Sequence, residues 1–251
     1  MTERLDALHA SVDRLAEVVG TLDPARLTDP AYPTEWTIAD TLSHVGSGAV
    51  IFLRLLDDSL AGLETPGDAF PAVWDEWNAK SPAQQGADVL VADRALLDRL
   101  ESLDADERER FRTTLGPMDV DFDSLVALRL NEHALHTWDV EVALDPAATV
   151  GPEATAYVID SLERMAGFTA RPTGAERTVH LVTTDPRRGV TVVLGADAVT
   201  FTYGDPVDVP DVVLPAEACI RLVYGRLDPG HAGGAEESPV LDELRRAFPG
   251  A

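Results

Sequence analysis

The chain has 251 residues, 45% of them hydrophobic and 25% charged, which is enough material for a core in one large domain or two ordinary ones. Only 20 Lys and Arg residues stand against 44 Asp and Glu, and the net charge of −24 argues against partners that present phosphate groups. We therefore expect the chain to bind neither nucleic acid nor an anionic membrane surface.

Cysteine usage and the N-terminal pattern indicate the compartment. Cys219 is the single cysteine, so an intramolecular disulfide and a cysteine-rich zinc site are both excluded, and a reducing environment is expected. Residues 1–20 form an amphipathic pattern without the long apolar run of a signal peptide, and no stretch reaches the ~20 apolar residues of a membrane span. We therefore expect a cytoplasmic protein, and either a monomer or a homodimer is compatible with the sequence.

Helical periodicity dominates the larger, N-terminal part of the chain. Apolar residues at three- and four-residue steps predict one helix that begins at about Thr37 and others over residues 2–20, 84–101, 121–143 and 152–168. Thr37 and Asp40 have the spacing of a capping box, which supports a helix start at Thr37. We interpret residues 1–170 as a helical domain.

The period of the apolar residues changes after residues 171–174, which indicates a domain boundary. The following stretches are rich in Val and Thr and alternate like strands, and two of them are joined by a short turn. The predicted elements are strands over residues 177–184, 190–194, 198–203 and 211–214 and helices over residues 215–224 and 239–248. The predicted fold class is therefore α+β, with the helical domain over residues 1–170 and a smaller α+β domain over residues 175–251.

Glu132 and His136 lie four residues apart in the predicted helix over residues 121–143, on or beside the face that should be apolar. A stripe that includes Leu128 and Leu135 places Glu132 at its missing position. An unpaired buried carboxylate is costly, so such a group is normally neutralised, ion-paired or bound to a metal. His136, one turn on, points the same way and is able to share an ion with Glu132, although ordinary exposed ion pairs have the same spacing.

A metal site that also binds a substrate uses three protein ligands and one open position, so a third ligand is needed. His44 is the candidate, because it flanks the apolar stripe of the predicted second helix and would face the bundle interior. Asp40, one turn before His44, and Asp139, on the other helix, have the spacing of carboxylates that hold the second ring nitrogen of a ligating histidine. His133 points about 100° away from Glu132 and is expected outside the ligand set.

Two segments of the chain resemble a known family. Residues 33–44, PTEWTIADTLSH, are similar to the P-x-x-W-[ST]-x-x-D-x-x-x-H signature of the mycothiol-dependent maleylpyruvate isomerase family, and residues 129–139, RLNEHALHTWD, are similar to its R-x-x-E-x-x-x-H-x-x-D helix. The N-terminal domain of that family is a DinB-like metal-binding bundle. The resemblance therefore implies an up-and-down four-helix bundle with a small C-terminal α+β domain, and it places three zinc ligands on His44, Glu132 and His136.

The resemblance also implies a chemistry. It implies a divalent metal, with zinc expected, and mycothiol, the cysteinyl pseudodisaccharide of actinobacteria, as cosubstrate. The thiol would add to an electrophilic small molecule and then be released in a cis-trans isomerisation or retained in an S-transfer. An arginine of the family's C-terminal domain is implicated in catalysis, and Arg226 is its candidate equivalent, with Arg221 second. The alternative for Arg226 is an arginine that caps its own helix.

The ligand set leaves further alternatives open. Two histidines and one glutamate also suit nickel, iron or manganese. A non-catalytic metal-binding or regulatory protein could keep the same bundle, and a metal-dependent hydrolase needs only the same three ligands. The electrophile would be selected by residues that line the pocket, for which the aromatic candidates are Trp36, Phe52, Trp74, Trp77 and Trp138.

Overall fold

Four long helices pack together in the N-terminal part of the computed structural model, which describes residues 3–33, 35–116 and 118–250. The helices of this part are α1 (Glu3–Thr21), α2 (Ile38–Leu60), α3 (Ala69–Asn78), α4 (Pro82–Ser102), α5 (Ala105–Arg110) and α6 (Phe122–Leu144). Helix α2 contacts α4 and α6, and α1 contacts α6 and α4, so the four long helices close into a bundle. The predicted four-helix bundle is confirmed.

Side-chain caps explain why two of the bundle helices begin where they do. The Thr37 hydroxyl accepts a hydrogen bond from the Asp40 amide at 3.1 Å, and the Asp40 carboxylate accepts one from the Thr37 amide at 2.9 Å. Ser81 and Gln84 form the same reciprocal pair at the start of α4. Each pair satisfies amide groups that have no partner within the helix, so the predicted start at Thr37 is confirmed.

Three short elements of the bundle were not predicted from the sequence. They are α3, α5 and a hairpin of two antiparallel strands, β1 (Arg112–Leu115) and β2 (Met118–Asp121). Helix α3 buries few side chains, but one of them, Trp77, lies against Gly46 of α2, where an added Cβ would come within 2.2 Å of the ring. Trp77 and Val73 pack into the core of the bundle, and a helix of only ten residues depends on such tertiary contacts for its stability.

The C-terminal part contains a four-stranded sheet and helices. Its elements are α7 (Pro152–Val158), α8 (Leu162–Thr169), β3 (Arg177–Thr184), β4 (Gly189–Leu194), β5 (Val199–Gly204), β6 (Val212–Pro215), α9 (Ala216–Val223) and α10 (Pro239–Ala247). The strand order is β5-β4-β3-β6, with β3 parallel to β6 and the other pairs antiparallel. The predicted strands, the β4–β5 hairpin and the α+β fold class are confirmed.

The chain divides into two compact units, one up to Asp145 and the other from Pro146. The sequence predicted the boundary after residue 170, with one helix over residues 152–168 on the N-terminal side. In the structure this segment is two helices joined by a short 3-10 turn, and α8 packs against β5 and α9 of the second unit. Periodicity shows that a segment is helical but does not show which core it joins, so the two boundaries differ. None of the described helices is long and apolar enough to cross a membrane.

Candidate metal centre

His44, Glu132 and His136 come together at the contact between α2 and α6. His44 Nε2 lies 3.4 Å from Glu132 Oε2, and His136 Nε2 lies 3.6 Å from the same oxygen. One ligand atom from each residue falls within 4.8 Å of the other two. In the part of the chain that the structure describes, no other group of His, Cys, Asp and Glu side chains meets this test.

The spacing of these atoms suits a tetrahedral ion. Metal–ligand distances of about 2.1 Å at tetrahedral angles separate neighbouring ligand atoms by about 3.4 Å. The two measured separations, 3.4 and 3.6 Å, agree with that value. Two imidazoles and one carboxylate are also the ligand types that zinc and related divalent ions accept while keeping a further position open. The three residues therefore fit a divalent metal.

Asp139 orients one of the two candidate histidines. Its Oδ2 lies 2.8 Å from His136 Nδ1, and its side chain is fully buried. When Nδ1 donates its proton to this carboxylate, the lone pair of Nε2 is left facing Glu132. The predicted carboxylate partner for His136 is confirmed.

The corresponding prediction for Asp40 is wrong. Its carboxylate Oδ2 accepts hydrogen bonds from the amide of Thr37 at 2.9 Å and from the hydroxyl of Thr37 at 2.7 Å. The Asp40 carboxylate therefore caps the exposed N-terminal end of α2. It does not hold His44, although Asp40 lies one turn before that residue. Asp40 lies three residues after Thr37 and four before His44, so the spacing allows either partner. The carboxylate caps the helix because the first amides of α2 need acceptors.

The two ligand candidates on α6 influence each other's protonation. Partial burial raises the pKa of the Glu132 carboxyl, but hydrogen bonds from His136 and His44 outweigh it and hold that pKa well below its usual range. Burial lowers the pKa of His136, but the bonds to Asp139 and Glu132 outweigh it and raise that pKa above its usual value. The cluster therefore favours an ionised carboxylate and attracts positive charge.

Solvent reaches this cluster, contrary to the expectation that Glu132 lies in a core stripe. The side chains of Glu132, His44 and His136 are 44%, 37% and 12% exposed. Helix α6 buries residues on most of its circumference, including Arg129, so its apolar stripe does not mark a single buried face. Glu132 and His136 occupy the less buried strip, and a small molecule therefore has access to them.

Aromatic rings form one wall of the cluster. The Trp36 ring centroid lies 5.1 Å from that of His44 and 5.9 Å from that of His136, and the two imidazoles are 4.5 Å apart, edge to face. Trp36 is therefore the aromatic residue, among those considered from the sequence, that the structure brings to the ligands. Trp138 is fully buried and packs on Tyr32 instead.

A buried polar network lies beside the cluster and was missed from the sequence. His133 is fully buried, with Nε2 3.1 Å from Asp93 Oδ2, so it lies outside the ligand set as predicted. Burial lowers the pKa of His133, and the Asp93 carboxylate opposes that effect only in part. Asp93 occupies a stripe position of α4 between Val89 and Leu96, the same signal that drew attention to Glu132.

The two candidate arginines lie in the second unit, and their surroundings differ. Arg221 is buried and donates from Nε and Nη2 to the carboxylate of Glu217, at 2.8 and 3.0 Å. It also donates to the carbonyl of His231 at 2.5 Å. Arg226 is half-buried and donates from Nη1 to the carbonyl of Tyr224 at 3.1 Å.

The fold and the site together define a class of proteins. Its members have a four-helix bundle, with two histidines and a glutamate clustered between two of the helices, and a small α+β unit after it. The chain belongs to the mycothiol maleylpyruvate isomerase N-terminal domain family, whose model matches residues 8–141. That range contains His44, Glu132 and His136. The resemblance noted in the sequence is thereby confirmed.

Two solved structures share the fold over most of their length. One is the mycothiol-dependent maleylpyruvate isomerase, with 17% sequence identity and a TM-score of 0.64, and the match covers 94% of this chain and 95% of that one. The other is a histidine-to-alanine mutant of the mycothiol-dependent maleylpyruvate isomerase, with 16% identity, a TM-score of 0.63, and coverage of 89% and 88%. Comparison with curated protein sequences gives no significant match.

Proposed function

We propose that the chain is a metal-dependent thiol enzyme that activates mycothiol for addition to an electrophilic small molecule, as an isomerase or an S-transferase. The main support for this proposal is that one ligand atom from each of His44, Glu132 and His136 lies within 4.8 Å of the others, in the domain that the family model matches. A divalent ion held by such a set leaves a position open for a thiol and favours its ionised form near neutral pH.

The thiol is supplied by a cosubstrate rather than by the chain. Cys219 is buried in α9 of the second unit, and burial raises the pKa of Cys219 to about 12. A thiol of that pKa has almost no thiolate at neutral pH, so it is a poor nucleophile. Both structural neighbours are mycothiol-dependent enzymes, which supports mycothiol as the thiol used here.

The reaction follows from the nucleophile. The thiolate sulfur adds to one carbon of a cis-alkene conjugated to a carbonyl, and the π electrons move onto the carbonyl oxygen as an enolate. The former double bond is now single and rotates. Return of the electrons expels the thiolate and leaves the trans-alkene, so no thiol is consumed. In S-transfer the enolate carbon takes a proton instead, and the thioether is released.

Trp36 and the two imidazoles shape the entrance to the site. The indole lies against both rings, so it restricts their rotation and keeps each Nε2 directed at Glu132. An indole also offers an apolar, flat surface against which a conjugated electrophile would pack. We propose Trp36 as one wall of the substrate pocket.

Arg226 is the arginine that we propose to bind a substrate carboxylate. Arg221 is the weaker candidate, because its guanidinium is buried and already holds Glu217 through two hydrogen bonds. Arg226 is half-buried, and a guanidinium binds a carboxylate with two parallel hydrogen bonds. Arg226→Lys should keep the charge but lose the paired geometry, and it should raise KM for carboxylate substrates while leaving metal content unchanged.

The test uses the full-length chain reconstituted with zinc. It is incubated with mycothiol and a panel of electrophiles that includes maleylpyruvate, and the products are separated by chromatography and mass into isomer and adduct. We expect thiol-dependent conversion by the wild type and by Cys219→Ala, and none by His44→Ala.

Other outcomes distinguish the alternatives. Turnover that needs the metal but no thiol would support a hydrolase. Absence of turnover with every electrophile, in a chain that does bind metal, would support a binding or regulatory protein. Turnover by His44→Ala equal to that of the wild type would remove the proposed ligand set.

A further inference from the structure

A buried arginine links α6 and α2, the two helices that carry the candidate ligands, to each other and to α4. Arg129 of α6 and Asp93 of α4 have side chains only 3% and 1% exposed, and Arg129 Nη2 donates to Asp93 Oδ1 at 2.5 Å. The same nitrogen donates to the carbonyl oxygen of Val45 in α2 at 3.0 Å. One guanidinium therefore joins α6, α4 and α2.

The connection lies directly beside the ligands. Val45 follows His44 in α2, and Arg129 precedes Glu132 by one helical turn in α6. The hydrogen bond from Arg129 to the Val45 carbonyl therefore ties together the two backbone segments that carry His44 and Glu132. These two ligand candidates contact each other across the same pair of helices, at 3.4 Å.

The rest of the network holds the ion pair in one arrangement. The second carboxylate oxygen of Asp93 lies 3.1 Å from His133 Nε2, and Ser11 of α1 lies 2.8 Å from His133 Nδ1. Gly48 of α2 leaves room for the guanidinium, because an added Cβ there would lie 2.9 Å from Arg129 Nη1 and, among the described residues outside its own turn of helix, within 4 Å of no other atom. The arginine is thus enclosed as well as paired.

Stability alone does not account for such a pair. Removing two charges from water is costly, and apolar residues of similar volume often replace a buried ion pair with no loss of stability. A buried ion pair differs from apolar packing in its directional hydrogen bonds, which fix the separation of the groups they join. Here those groups are the backbone of α2 beside His44 and the backbone of α6 beside Glu132.

We propose that Arg129 and Asp93 are positioning residues that set the separation of His44 from Glu132 and thereby the metal affinity of the site. This inference rests on the metal site proposed above. It concerns residues that touch neither the ion nor a substrate, and it predicts that metal affinity and folding stability respond separately to changes in the network.

The main test is the charge-free double variant Asp93→Asn/Arg129→Met, which keeps an acceptor for His133. We expect it to fold, with a urea midpoint near that of the wild type, and to bind zinc about tenfold more weakly in competition with a chromogenic chelator. The matched control is Arg14→Met/Glu141→Gln, which removes an ion pair of 2.6 and 2.8 Å that joins α6 to α1. The control should bind zinc as the wild type does.

Gly48→Ala gives a second, independent test that removes no polar group. Alanine favours a helix over glycine, so the free energy of unfolding of the metal-free chain should stay equal or rise. Its Cβ would press on the guanidinium and displace it from the Val45 carbonyl, so zinc affinity should fall several-fold. If Arg129 and Asp93 only stabilised the fold, Gly48→Ala would not lower zinc affinity while leaving the free energy of unfolding unchanged.

The outcomes separate this inference from the proposed function. A wild-type chain that binds no divalent ion overturns the proposed metal site and this inference with it. A wild-type chain that binds zinc, together with unchanged affinity in the double variant or in Gly48→Ala, overturns only the positioning role. If the double variant does not fold, the affinity of Gly48→Ala decides alone.

Discussion

Two aspartates near the cluster, Asp139 and Asp40, have similar sequence spacing from a histidine but different structural roles. Asp139 is buried and holds His136 Nδ1 at 2.8 Å, so Asp139→Asn should weaken zinc binding by about 10–100-fold. The amide has a similar shape but accepts a weaker hydrogen bond, and it leaves the ring less firmly oriented. Chelator competition with the purified variant measures this loss.

Asp40→Ala is the matched control for that measurement. Asp40 caps α2 through Thr37, so its replacement should lower the free energy of unfolding by about 1 kcal/mol and leave zinc affinity unchanged. Urea unfolding of the metal-free chain gives the first quantity, and chelator competition gives the second. Equal affinity losses in Asp139→Asn and Asp40→Ala would contradict the assignment of the two roles.

Cys219 should be unreactive in the folded chain. It is fully buried, and burial raises the pKa of Cys219 to about 12, so an aromatic disulfide reagent at pH 8 should label the native protein very slowly. Labelling in denaturant should release one equivalent of chromophore, since Cys219 is the single cysteine. Rapid labelling of the native chain would show that this thiol is accessible and would reopen it as the nucleophile.

The protonation of Glu132 and His136 gives the metal-free chain a defined pH dependence. The pKa of Glu132 in the folded chain lies below its ordinary value of 4.5, so its contribution to stability is present above that pH and is lost as the pH falls. The folded pKa of His136 lies above 6.5, so its contribution is present below that pH and is lost as the pH rises through the raised value. Both contributions overlap between these two values.

Urea midpoints should be measured from pH 4 to 9 with a chelator present. The stability that Glu132 and His136 contribute should be greatest between pH 4.5 and 6.5 and should fall at lower and at higher pH. Glu132→Gln should flatten the dependence, because it removes the shared carboxylate. Zinc affinity should rise with pH, since the ion competes with the proton for His136. The stability that protonated His136 contributes to the metal-free chain falls over the same pH range. An affinity independent of pH across neutrality would contradict His136 as a ligand.

At the scale of elements, the sequence predicts what local chemistry determines. The start of α2 follows from the Thr37 and Asp40 cap, and the β4–β5 hairpin follows from alternation and a turn. The ligand candidates also followed from residue types and helical spacing. Helix α3 did not, because its position depends on Trp77 meeting a glycine of another helix. The prediction that Glu132 lies in the core was wrong. Most faces of α6 are buried, so one apolar stripe does not show which face remains exposed.

The contact between α2 and α3 gives a prediction at this scale. Gly46→Ala should destabilise the chain by about 1–3 kcal/mol, although alanine favours helices, because its Cβ would lie 2.2 Å from the Trp77 ring. Gly20→Ala is the control, since an added Cβ there comes within 4 Å of no described atom outside its own turn of helix and should stabilise α1 by about 0.5 kcal/mol. Urea unfolding measures both. Equal effects of the two substitutions would contradict the packing described for Trp77.

At the scale of the whole molecule, the chain is two units, and the sequence placed the boundary after residue 170 rather than at Asp145. The change of period marks where strands begin, whereas membership of a core depends on contacts between distant segments, such as α8 with β5. Similarly, the three candidate ligands could be selected from the sequence, but the partnership of Arg129 with Asp93 could not. It joins residues 36 positions apart, which no local pattern connects.

All three candidate ligands lie in the first unit, so the metal site does not depend on the assignment of the arginines in the second. The most direct measurement is therefore the divalent metal content of the full-length chain after reconstitution with zinc and removal of the excess, with His44→Ala treated in parallel. A site of three ligands predicts about one equivalent in the wild type and less than about a tenth in the variant. Less than about a tenth in the wild type, or equal content in both proteins, would contradict the account.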